Sequence, residues 1–145
     1  MIRHETTIQI NCPVESAFAF VANSDNFKKW QTDVEEHVKL TDGPLALGSR
    51  FREVRQFGGS SIQIQGEVTV FEHNKRFVTQ TTSMPQVTMS YDFVSEGTRT
   101  HMHYAFAMKT SGMMALMEPI ITSSIRQLTT SNLDKLKVLL EGVHK

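Results

Sequence analysis

One cysteine, one tryptophan and no long apolar run set the first limits on this chain. A lone Cys12 excludes an internal disulfide and any thiolate metal cluster, so a reducing cytoplasm is the expected location. As a small apolar residue near a strand end, Cys12 needs no nucleophilic role. No stretch approaches the roughly 20 apolar residues of a membrane-spanning helix. The N-terminal residues Met1 to Thr7 lack the apolar core of a secretory signal. An excess of one charge is missing too, because 15 basic and 15 acidic residues cancel. Proteins that grip phosphate backbones carry a basic excess or stripe. Here the densest basic run, Arg50 to Arg55, is already interrupted by Glu53, and nucleic acid is not an expected partner. No nucleophile elbow, phosphate loop, HExxH run or paired carboxylates occur, so no cofactor and no metal are expected.

What remains is enough for one core. A chain of 145 residues with 39% hydrophobic side chains reads as a single domain spanning residues 1–145. Thr6 to Asn11 alternates with period two, the mark of a half-buried strand. Pro13 opens a short helix whose apolar face is Val14, Ala17, Phe18 and Val21. Ser24 and Asp25 are placed to cap a second short helix through Phe27 to Trp30. Strands follow over Val34–Leu40, Ser49–Phe57, Ser61–Phe71, Arg76–Ser83, Val87–Val94 and Arg99–Lys109, with Val34, Glu36, Val38 and Leu40 on one side of the first. Gly58-Gly59, Glu72–Lys75, Pro85 and Ser95–Thr98 punctuate them, which makes an antiparallel meander. From Gly112 the period becomes helical, and Met113, Leu116, Met117, Ile120, Ile121, Ile125, Leu128, Leu133, Leu136 and Leu140 trace one stripe. Pro119 either kinks this helix or marks off a first short segment. The expected class is α+β, a curved sheet of about seven strands around a long C-terminal helix, with two short helices after the first strand.

The run Ile8–Asn23 is a strand, a proline and a helix carrying Ala17, Phe18 and Val21. It resembles the opening of the START/Bet v 1-like (SRPBCC) superfamily. Phe27-Lys28-Lys29-Trp30, Gly48-Ser49-Arg50-Phe51 and Glu67–Phe77 are similar to its later motifs, although Asn26 and Phe27 stand where a proline is common. The bacterial polyketide cyclase/dehydrase-like branch is the most similar. The resemblance implies a helix-grip fold with an internal cavity, and either a carrier of hydrophobic molecules or a cyclase.

Strand pairing assigns the walls. Taking Val94 opposite Arg99 sets Asp92 against His101 and Tyr91 against Met102. One face then holds Met89, Tyr91, Phe93, Met102, Tyr104, Phe106 and Met108. Asp92, His101 and His103 share the outer face, where they read as solvated groups and not as a metal site. Across Gly58-Gly59, Phe51, Glu53 and Arg55 fall on the inner face and Arg50 pairs with Glu67 on the outer one. Buried charges are costly unless paired or used, so Glu53 and Arg55 are either polar handles at the cavity or side chains that reach water beyond the core. The expected cavity wall is therefore Trp30, Phe51, Glu53, Arg55, Met89, Tyr91, Phe93, Met102, Tyr104 and Phe106, closed from the helix by Met117, Ile121 and Ile125. The face carries no inward histidine in this reading.

Three functions compete, and balanced charge disfavours one of them, an interaction module. The favoured one is binding of a small hydrophobic, lipid-like or polyketide-like molecule in a cavity of a few hundred Å³ without catalytic machinery. The alternative is a cyclase or dehydratase using Glu53, Arg55 and Tyr104 at the wall. A Glu beside an Arg has a lowered pKa and makes a poor general acid, which weighs against the enzyme. No integral membrane contact is expected, and a homodimer is compatible with the sequence.

Overall fold

A computed structural model describes residues 1–57 and 59–143. Seven strands pair antiparallel in the order β1-β7-β6-β5-β4-β3-β2. They are β1 (Ile2–Ile10), β2 (Val34–Lys39), β3 (Arg50–Phe57), β4 (Ser60–Glu72), β5 (Arg76–Thr81), β6 (Val87–Glu96) and β7 (Arg99–Met108). Between β1 and β2 lie α1 (Val14–Val21), a single 3-10 turn (Ser24–Asn26) and α2 (Phe27–Trp30). The chain ends in α3 (Met113–Leu116) and α4 (Glu118–Val143). This is the expected helix-grip arrangement: α4 packs on the inner face of the sheet and buries Leu133, Leu136 and Leu140 against Ile2, Ile10, Met102 and Met108. Among the described residues no helix is long and apolar enough to cross a membrane.

The β3–β4 register is the expected one, with Phe57 opposite Ser60, Arg55 opposite Ile62 and Glu53 opposite Ile64. Of its turn, Gly58 lies outside the described residues and Gly59 has φ +83. Arg50 and Glu67 are register partners, while ion pairs on the outer face include Arg52–Glu36 at 3.7 Å and Arg76–Asp92 at 3.0 Å. The β6–β7 register differs from expectation by two residues. A tight turn at Gly97-Thr98 sets Glu96 opposite Arg99, hence Tyr91 opposite Tyr104 and Asp92 opposite His103. Because the slip is even, each side chain keeps its face, and Met89, Tyr91, Phe93, Met102 and Tyr104 are all buried.

Three local features depart from the sequence reading. Asn23, not Ser24 or Asp25, caps the turn before α2, and its Oδ1 accepts from the Asp25 N–H at 3.0 Å. A β-bulge lies between Val34 and Glu36 in β2. One extra residue inverts the alternation, so His37, and not Glu36 or Val38, turns to the inner face opposite Glu53. Finally, the C-terminal stripe is broken at Met117, with Pro119 in the first turn of α4 as its fixed φ allows. Pro119 thus marks off a short segment instead of kinking one helix. The stripe upstream of the break does not pack: Met113 is 75% exposed and Leu116 83%.

Candidate functional site

Between α4 and the inner face lies a cavity of about 110 Å³. It is smaller than the few hundred Å³ expected, and approaches the roughly 150 Å³ that accepts a benzene-sized guest. Phe57 and Ile62 from the β3–β4 hairpin, Pro85, Val87, Phe106 and Ile125 form its apolar part. Trp30, Arg55, Tyr91, Tyr104 and Asn132 form its polar end. Of the residues expected on the wall, Trp30, Arg55, Met89, Tyr91, Tyr104, Phe106 and Ile125 line it.

The others sit elsewhere for identifiable reasons. Phe93 and Met102 are cross-strand partners packed deeper in the core, Phe93 against Phe18 at 5.3 Å. Ile121 packs at the edge of that core. Met117 falls in the break between α3 and α4 and is exposed. Phe51 lies over Gly66, where an added Cβ would stand 2.6 Å from the ring, and it stacks on His37 at 5.4 Å. Glu53 is buried behind the wall, its side chain 1% exposed.

Glu53 and Arg55 are not on a hairpin that twists into water. They belong to a buried network that starts at the bulged strand. His37 Nδ1 bonds to Glu53 Oε2 at 2.9 Å, and Arg55 Nε donates to Glu53 Oε1 at 3.1 Å. Arg55 Nη1 donates to Asp33 Oδ2 at 2.8 Å and Nη2 to Gln31 Oε1 at 2.7 Å. Asn132 of α4 donates to Asp33 at 3.3 Å and accepts from the Thr32 N–H at 3.0 Å and hydroxyl at 2.8 Å. Strand, loop and helix are thereby tied together through one guanidinium. Sequence reasoning missed His37, Asp33, Gln31 and Asn132. The bulge hid His37, and no periodicity marks the loop residues.

The electrostatics follow from burial and pairing. Burial pushes the Glu53 carboxyl up, but the Arg55 guanidinium and then His37 outweigh it and hold Glu53 below the ordinary carboxylate range. Burial works against the Arg55 charge as well, yet Glu53 and Asp33 raise its pKa far above the ordinary value. The Tyr91 and Tyr104 hydroxyls are pushed well up, mainly by burial. Tyr91 lies edge-on to Trp30, ring centroids 6.4 Å apart, and to Tyr104 at 5.4 Å. Its hydroxyl reaches the Met89 sulfur at 3.7 Å. Trp30 is 3% exposed, and its Nε1–H has no acceptor among the described residues.

The outer histidines do not assemble into a metal site. His101 stands 3.9 Å from Glu96, His103 stands 3.6 Å from Glu5, and Asp92 is taken by Arg76. No group of three or more metal-ligating side chains occurs among the described residues. Cys12 is buried, and burial together with the Glu141 carboxylate raises its thiol pKa, which disfavours the nucleophilic thiolate.

Solved structures share this fold at low identity. The chain is similar to the TTHA0849 protein of Thermus thermophilus, with a TM-score of 0.84, 14% identity and 99% of each chain covered. It is similar to the ZhuI aromatase/cyclase of Streptomyces sp. R1128, with a TM-score of 0.81 and 10% identity over 99% of this chain and 95% of that one. A START superfamily protein of Mycobacterium smegmatis gives 0.69 and 15% over 97% and 94%. No curated protein matches the chain by sequence. The model of one sequence family does match, over residues 1–141. The chain belongs to the polyketide cyclase/dehydrase and lipid transport family.

Proposed function

We propose that the chain binds a small hydrophobic molecule in the cavity under α4 and does not itself transform it. The observation that carries this reading is the division of labour around the cavity. Most of its lining is apolar, and the carboxylate that lines it, Asp33, is spent on Arg55 and Asn132. Glu53, held ionised behind the wall, has no proton to give at neutral pH, and the buried Tyr104 hydroxyl holds its proton too firmly to be a general base. The alternative is a cyclase or dehydratase acting through Glu53, Arg55 and Tyr104. It draws support from Arg55 and Tyr104 sharing the cavity wall. With a lone buried cysteine and no spanning helix among the described residues, a reducing cytoplasm fits as the place of action.

Native mass spectrometry of freshly purified protein tests the binding reading. A co-purifying apolar molecule, or an upward thermal shift with added apolar compounds, is expected. A bare apo mass with no shift from any such compound would contradict it.

A further inference from the structure

The hydrogen-bond inventory at the polar end of the cavity is lopsided. Every carboxylate and side-chain amide oxygen of the network accepts at least one hydrogen bond: both Glu53 oxygens, both Asp33 oxygens, Gln31 Oε1 and Asn132 Oδ1. Donors are left over. A guanidinium carries five N–H groups, and Arg55 engages three protein acceptors. Trp30 Nε1–H has no acceptor among the described residues, and Tyr91 donates to a thioether, a weak acceptor, at 3.7 Å. A buried donor without a partner is costly, so a guest that supplies an acceptor recovers that cost.

The charge inventory narrows the guest further. The Arg55 guanidinium already faces two carboxylates, Asp33 at 2.8 Å and Glu53 at 3.1 Å. Even with a proton on His37, the group of His37, Glu53, Arg55 and Asp33 carries no net positive charge. A guest carboxylate would be a third anion in a buried site.

Resting on the binding reading above, we propose that the polar end of the cavity is a subsite for one neutral hydrogen-bond acceptor. It takes the carbonyl oxygen of a ketone, ester or amide on an otherwise apolar body of about one ring, and it rejects carboxylates. Trp30, Arg55 and Tyr91 supply the donors.

Propylbenzene, propiophenone and phenylacetate share one phenyl ring and differ chiefly in the polar group. Calorimetry near neutral pH gives their affinities. In parallel, ¹H–¹⁵N spectra follow the indole N–H of the single tryptophan. Propiophenone is expected to bind about 5-fold or more tighter than propylbenzene, phenylacetate more weakly than both, and the indole proton should move downfield only with the ketone. Trp30→Phe should narrow the ketone–hydrocarbon gap, and the wild-type indole signal serves as the readout if that variant misfolds. Equal affinity for ketone and hydrocarbon with an unmoved indole proton overturns the subsite and leaves the binding reading standing. Tightest binding of phenylacetate overturns it as well. Failure of all three to bind overturns the binding reading, and the subsite with it.

Discussion

Arg55 holds the polar end of the cavity together, because two carboxylates, a glutamine and, through Asp33, the helix residue Asn132 converge on it. Its replacement by Leu leaves Asp33 and Glu53 buried without a counter-charge, and a loss of about 3–5 kcal/mol is expected in urea unfolding. The same cluster sets an acid limit. Glu53 has a folded pKa below its ordinary 4.5, so its contribution to stability is complete above that pH and fades as pH falls through the folded value. The stability gap between wild type and Glu53→Gln should therefore be constant at neutral pH and close progressively below about 4.5. A gap that stays unchanged on acidification contradicts the assignment. Gly66 makes a different demand: any Cβ there meets the Phe51 ring at 2.6 Å. Gly66→Ala should cost about 1–3 kcal/mol by the same measurement. At this scale the sequence revealed the inward pair Glu53 and Arg55 through alternation, but not their partners. His37 escaped because a bulge in β2 inverts its face, and Gln31 and Asp33 because they precede that strand in a stretch without periodicity.

At the scale of elements, strand faces were legible and strand pairing less so. Apolar alternation fixes which residues of β6 and β7 point inward whatever their register, while the turn length alone decides who faces whom. Hence Met89, Tyr91 and Tyr104 were placed on the correct face with the wrong partners. The C-terminal stripe shows the converse. Its period is continuous across Met117, yet only the part from Ile121 onward touches the core. Substituting Ser for Met113 or Leu116, both exposed, should change stability by no more than about 0.5 kcal/mol. Leu133→Ala or Leu136→Ala, deep in the core, should cost about 2–5 kcal/mol. Thermal or chemical unfolding of the four variants separates the two halves of the stripe. Comparable losses on both sides would mean that Met113 and Leu116 pack after all.

For the whole molecule, the order of one strand, two short helices, six strands and a long helix already implied that one long helix must cover one long sheet, since no other element could bury that face. What the sequence could not convey is the size of the space left beneath it. Cavity volume depends on how side chains interdigitate, and a few methionines or aromatics change it by the volume of a whole ligand. The central claim is that the space under α4 receives an apolar molecule. It is tested most directly by calorimetric titration of propiophenone into wild type and into Ile125→Trp, a substitution that fills the cavity from the helix side. Saturable binding to wild type with a negative heat-capacity change, and at least a tenfold loss in the folded variant, is the predicted result. Equal binding to both proteins, or none to either, would contradict it.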